Sequence, residues 1–146
     1  MTLHSLNALV RDGSFSGSWE DGELLFRRGW RENTDGSRQS VLVVQPATEH
    51  PTRASLDRLA HEYTLRDKLD PEWAMRPLAL KREGGRTTLL LNDWGGQPLA
   101  RLLRAPLEIG AFLRLAVSIT SALGKVHRHG LIHRDLKPAH ILGVRF

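Results

Sequence analysis

Apolar and polar positions change period several times along the chain, and each change marks an element. Residues 1–22 are rich in Gly, Ser and Asp and carry only weak strand signals. From Glu23 the texture alters. Leu24, Leu25 and Phe26 lead into Arg27 and Arg28, Asn33-Thr34-Asp35-Gly36-Ser37 supplies a turn, and Val41-Leu42-Val43-Val44 follows. Two apolar runs about a Gly-containing turn predict a β-hairpin. Beyond Pro51, Leu56, Leu59, Ala60 and Tyr63 recur at three- and four-residue spacing up to Asp70-Pro71, which predicts an amphipathic helix with a clear stop. Leu78-Ala79-Leu80 and Thr87 to Leu91 flank Gly84-Gly85 as a second hairpin, its tip marked by Lys81, Arg82, Glu83 and Arg86. After Asn92-Asp93-Trp94 the pair Gly95-Gly96 breaks the strand, and Leu99, Leu102 and Leu103 predict a short helix. Ile109, Phe112, Leu113, Ala116, Ile119, Leu123 and Val126 then form the longest stripe, one face of a helix ending at Gly130.

Strands, helix, strands and then helices predict an α+β chain. Its 146 residues, 40% of them hydrophobic, are enough for one sizeable core. Lys and Arg number 21 against 16 acidic residues, a net charge of +5 that would suit an anionic partner. The excess is spread thinly, with Arg27-Arg28 and Arg31 the nearest thing to a cluster, so a solvated basic surface is expected and no nucleic-acid partner. Cysteine is absent, which removes disulfides and thiolate metal sites. Met1 to Gly13 lack the basic head and apolar core of a signal peptide, and no apolar run is expected to be long enough to span a bilayer. A cytoplasmic protein with no membrane contact is the expectation.

The chemistry concentrates near the C-terminus in His133-Arg134-Asp135-Leu136-Lys137-Pro138. Phosphoryl transfer needs a carboxylate beside the acceptor hydroxyl and a cation that reaches the transferring phosphate; Asp135 and Lys137 fit those roles. The bland alternative is a basic turn after a helix, with Asp135 and Pro138 as turn residues. The string follows the long apolar stripe and a Gly130-Leu131-Ile132 step, the helix, turn and short strand that precede the catalytic loop of the Ser/Thr protein kinase family, which this chain resembles. The Val41-Leu42-Val43-Val44 strand and the His61-Glu62-Tyr63 helix are similar to the kinase-like modules that begin some large bacterial multidomain signalling proteins.

The resemblance implies a fold and a set of roles. Residues 1–91 would be a protein-kinase-like small lobe, an antiparallel sheet plus one helix. Residues 92–146 would be the hinge, the first helices and the catalytic loop of an incomplete large lobe. ATP and Mg²⁺ would be the cofactors, and a protein substrate or docking partner the partner, with further domains in an intact parent. Gly17 and Gly22 would belong to a Gly-x-Gly-x-x-Gly phosphate loop, with Leu24 over the adenine, Asn92, Asp93 and Trp94 at the hinge, and Leu142 at the pocket floor. Arg134 would meet a phosphorylated activation segment, and His133 would be a packed structural residue.

Four departures from the family pattern stand out. Trp19 replaces the middle glycine of the phosphate loop, where an indole is expected to obstruct close approach, and Asp21-Gly22 also reads as a plain hairpin turn. The third strand should carry a lysine, yet Val44, or Gln45 one position on, stands there, and no lysine precedes Lys68. Glu62 occupies the place of the helix glutamate without that partner, either at the surface or bound to an arginine such as Arg38. His140 stands where the family's asparagine ligates magnesium, and imidazole is a poor ligand for that hard ion. The Asp-Phe-Gly motif would lie past Phe146, so the chain reads as a truncated kinase-like domain, inactive alone.

Rival readings remain. One is a pseudokinase-like docking or regulatory module that keeps the fold and loses transfer. Others are a metal site on His127, His129, His133 and His140, a nucleic-acid binder, and a small-molecule phosphotransferase.

Overall fold

The computed structural model describes residues 17–142, so the readings for residues 1–16 lie outside the described residues. The chain is an α+β fold that divides into two compact units, one running up to Asp67 and resuming at Met75–Asp93, the other made of Lys68–Ala74 and the chain from Trp94 onward.

The first unit is a five-stranded antiparallel sheet with one helix. Strands β1 (Ser18–Glu20), β2 (Leu24–Glu32), β3 (Arg38–Pro46), β4 (Pro77–Glu83) and β5 (Arg86–Asn92) lie in the order β1-β2-β3-β5-β4. Both predicted hairpins form, and β1 adds a strand where the sequence signal was weak. The β2–β3 turn closes with the Asn33 amide on the Ser37 carbonyl at 2.7 Å. The β4–β5 turn is the pair Gly84-Gly85, both left-handed (φ 57° and 75°), as a two-residue hairpin loop requires.

Directly opposed residues share a face of the sheet. Phe26, Val44 and Leu89 share one, and Trp19, opposite Phe26, joins them. Arg27, Val43, Leu90 and Ala79 share the other, as do Leu25 and Gln45. Val41, Leu42, Leu89 and Leu90 are fully buried, so the central strands are enclosed on both sides and read as continuous apolar runs.

Helix α1 (Arg53–Thr64) starts at Thr52, whose hydroxyl accepts the Ser55 amide at 3.2 Å, and it packs on β4 and β5 through buried Leu59. Glu23, at the start of β2, ties the helix to the sheet: it accepts from Ser55 Oγ and from Arg58, each at 2.5 Å.

The second unit holds α2 (Leu99–Leu102) and the long helix α3 (Ile109–Arg128). Glu108 caps α3 through a bond from the Ala111 amide at 3.1 Å, and Lys125, His127 and Arg128 lie in the last turn, where the helix dipole favours cations. By length and composition alone α3 could cross a membrane, which corrects the reading that no run is long enough. Arg114, Ser118, Ser121, Lys125 and Arg128 nevertheless follow one another at helical spacing and make it amphipathic, a pattern shared by core helices of soluble domains. Its apolar stripe is exposed at Ile109, Phe112, Leu113 and Val117. Leu131 and Ile132 form no strand, contrary to expectation. The Leu131 amide turns back to the Val126 carbonyl at the helix end (3.2 Å), which takes up the donor a ladder would use.

Candidate functional site

The catalytic-loop string lies in the second unit and is organised around Asp135. Lys137 Nζ stands 3.5 Å from Asp135 Oδ2, and His140 Nδ1 stands 3.8 Å from the same oxygen. A short 3-10 turn, Pro138–His140, brings His140 back so that its Nδ1 also meets the Asp135 carbonyl at 2.9 Å. A carbonyl can only accept, so that nitrogen carries the hydrogen. On the other side the Asp135 amide donates to His133 Nδ1 at 3.3 Å, which leaves the His133 hydrogen on the opposite ring nitrogen. Desolvation, followed by the charge of His140, holds the pKa of His133 below its ordinary value; Asp135 opposes this more weakly.

Arg134, between them, takes φ 63°, the one non-glycine left-handed residue among those described. Such a conformation costs roughly 1–3 kcal/mol and persists where the surroundings impose it, which marks the loop as geometrically constrained. The Leu99 amide fastens the end of this segment to α2 through the Ile141 carbonyl at 2.9 Å, and Leu142 beside it is half-buried. The loop thus presents a half-exposed carboxylate with an ammonium and an imidazole within 4 Å. That arrangement can accept a proton from a hydroxyl while a cation balances nearby negative charge.

The residues expected around a nucleotide lie mostly in the first unit. Gly17 precedes β1 with φ 152°, and Gly22 lies in the β1–β2 turn with φ 95°. That turn is closed by Asp21, whose Oδ1 accepts the Glu23 amide at 2.9 Å and the Leu24 amide at 2.7 Å. The carboxylate therefore occupies amides that a phosphate clamp would leave for its ligand, and the segment is an Asx-type hairpin turn.

Trp19 belongs to β1. It is buried and stacked on Phe26, with ring centroids 5.4 Å apart and planes 4° from parallel, because strand alternation turns it to the Phe26 face. Leu24 is buried on that face too, opposite Pro46, and shares it with Val44, whereas Gln45 lies on the other face, directly opposite Leu25.

The hinge residues are also engaged locally. The Asn92 amide donates to the Arg76 carbonyl and its side-chain oxygen accepts the Arg76 amide, while the Asp93 amide reaches the Ser40 carbonyl at 3.3 Å. The Asp93 carboxylate is fully buried and receives Arg28 at 2.5 and 3.2 Å and Ser40 Oγ at 3.1 Å. Trp94, by contrast, is exposed. Arg38, named as a partner for Glu62, lies over the Trp30 ring at 3.4 Å instead.

The third strand carries a polar relay at Gln45. Gln45 donates from Nε2 to Thr88 Oγ1 on β5 at 2.7 Å and accepts at Oε1 from Arg27 Nη2 on β2 at 2.5 Å.

Magnesium fits the residues present poorly. It takes oxygen donors in near-octahedral geometry, whereas the loop offers one carboxylate, already beside Lys137, and an imidazole turned to a backbone carbonyl. Among the described residues no group of three His, Asp or Glu side chains is placed to hold a metal ion.

No family model matches the chain. It is 36% identical over 81 residues to the serine/threonine-protein kinase PknD of Chlamydia pneumoniae, which covers 55% of this chain and 8% of that protein. It is 37% identical over 60 residues to the serine/threonine-protein kinase Pkn1 of Myxococcus xanthus, 41% of this chain and 9% of the other. It is also 37% identical over 70 residues to the DNA damage-responsive serine/threonine-protein kinase RqkA of Deinococcus radiodurans, 44% and 10% respectively. The matched stretch spans about a tenth of the length of these curated relatives. Over about half of its length, the chain stands in a kinase-like relationship to bacterial Ser/Thr kinases.

Proposed function

We propose that this chain carries part of a protein-kinase-like domain that uses ATP to phosphorylate Ser or Thr of a protein. The observation that carries the reading is the Asp135 loop, in which His133 and His140 bond the Asp135 backbone amide and carbonyl and Lys137 lies 3.5 Å from the half-exposed carboxylate. Asp135 orients the acceptor hydroxyl and takes its proton as the oxygen attacks the γ-phosphorus, while the bond from that phosphorus to the bridging oxygen breaks and ADP departs with the electron pair. Lys137 balances charge on the phosphoryl oxygens. ATP and Mg²⁺ are the cofactors this reading implies, and partial similarity to bacterial Ser/Thr kinases supports it. No step is assigned to the metal, given the donor set.

A thermal-shift titration with ATP, with and without Mg²⁺, tests nucleotide binding, since a ligand that binds the native state raises apparent stability by RT ln(1 + [L]/Kd). A saturable rise in Tm is expected. A flat response at millimolar ATP would sink the nucleotide-binding reading in favour of a docking module.

A further inference from the structure

We infer that His140 is a positioning residue that braces Asp135 through the loop backbone, and that it does so in place of ligating magnesium. The inference rests on the phosphoryl-transfer reading above and goes further by giving position 140 a role that needs no metal ion. Three observations lead to it. His140 Nδ1 bonds the Asp135 carbonyl at 2.9 Å and stands 3.8 Å from Asp135 Oδ2, so one ring nitrogen faces both the backbone and the side chain of the same residue. The His140 side chain is 14% exposed against 41% for that of Asp135, which makes the ring the better fixed of the two. Its own place is set from both sides. The His140 amide donates to the Lys137 carbonyl at 2.9 Å across the turn that Pro138 opens, and the carbonyl of the next residue, Ile141, accepts from the Leu99 amide of α2 at 2.9 Å.

The chemistry of the bond separates two jobs that a side chain at this position can do. Because a carbonyl only accepts, Nδ1 carries its hydrogen, and a ring nitrogen that carries a hydrogen has no lone pair for a metal. That hydrogen is present in the neutral ring of this tautomer and in the protonated ring alike, so the brace holds in either state. The other ring nitrogen is a poor match for magnesium, which takes oxygen donors in near-octahedral geometry. An asparagine could do both jobs, donating through its amide nitrogen and ligating through its oxygen; histidine keeps only the first. Holding a reacting group in register matters because a misplacement of about 1 Å can cost on the order of 10²-fold in rate. Lys137 Nζ, 3.5 Å from Asp135 Oδ2, supplies positive charge beside the carboxylate without a metal ligand at position 140.

Transfer kinetics of variants of the full chain, together with NMR of its isotope-labelled histidine rings, test the assignment. His140→Ala should lower kcat about tenfold or more with KM for ATP unchanged, because the base that meets the acceptor is displaced and the nucleotide contacts are not. His140→Phe keeps a ring in the same enclosed space without a donor; it should lose as much, and it serves if the alanine variant fails to fold. His140→Asn returns a donor to the Asp135 carbonyl and should recover most of the loss. Wild-type kcat in His140→Phe, or no recovery in His140→Asn, would overturn the bracing role. In the wild type the ring resonances should place the His140 hydrogen on Nδ1 and should not shift with Mg²⁺. A hydrogen on Nε2 instead, or a Mg²⁺-dependent shift at His140, would overturn the assignment whether or not phosphate is transferred. Absence of transfer in the wild type, with the hydrogen on Nδ1 and no Mg²⁺ shift, would remove the phosphoryl-transfer reading and leave the metal-free brace standing.

Discussion

Arg28 on β2 grips Asp93 at the end of β5 with two nitrogens, Nε to Oδ2 at 2.5 Å and Nη2 to Oδ1 at 3.2 Å, and the Asp93 side chain has no solvent exposure. Two strands separated by β3 are thereby joined across the sheet, and Ser40 on β3 adds a third donor to the same carboxylate. A buried charge with one partner removed has nothing to replace its lost solvation.

Arg28→Met should therefore cost about 3–5 kcal/mol of stability, whereas Arg28→Met combined with Asp93→Leu should cost much less, because no charge is then stranded. Urea unfolding of the single and double variants measures the difference. Similar losses in both would show that the pair is not what closes that end of the sheet.

Trp19 is part of the sheet core. Trp19→Gly should cost about 3–5 kcal/mol and give no gain in ATP affinity, since the indole stacks on Phe26 and the β1–β2 turn amides stay bonded to Asp21 without it. Tighter ATP binding in that variant would place the indole in the nucleotide's path.

How much of this was legible beforehand differs by element. Both hairpins, α1 and α3 follow from apolar period and turn residues, and each appears within a few positions of its expected bounds. Strand β1 was not legible, because three residues with a single buried side chain give no alternation to count. The strand expected at Leu131-Ile132 failed for a related reason: strand pairing depends on a neighbour, and the local sequence does not name one.

The motif singles out Asp135 and Lys137, which the structure sets 3.5 Å apart, but the turn of His140 onto the Asp135 carbonyl is a backbone matter that no residue type announces. The pairing of Arg27 with Val43 lay within reach of register arithmetic from the Asn33–Ser37 turn. The engagement of Asp93 with Arg28 did not, since it joins residues 65 positions apart.

The lowered pKa of His133 carries a pH dependence. Its protonated form is disfavoured in the native state, by desolvation first and His140 second, relative to the ordinary value of 6.5. In the window below that value the unfolded chain binds more protons, so stability rises with pH toward about 6.5 and levels off above it. Unfolding midpoints at about pH 5 and about pH 7.5 should differ less in His133→Gln than in the wild type. An unchanged difference would assign the dependence to other groups.

His140→Asn restores an oxygen ligand at the position where the family holds magnesium. The Mg²⁺-dependent part of ATP stabilisation should increase in that variant, read as the difference between Tm shifts with and without the ion. The same difference in both proteins would mean that His140 is not what limits metal loading.

Phosphoryl transfer from γ-labelled ATP to a protein acceptor, compared between wild type and Asp135→Asn, addresses the central claim most directly. Transfer should fall by about 10²- to 10⁴-fold in Asp135→Asn while ATP affinity stays close to that of the wild type, because the amide cannot take the hydroxyl proton yet preserves the loop. Undiminished transfer in Asp135→Asn would contradict the account.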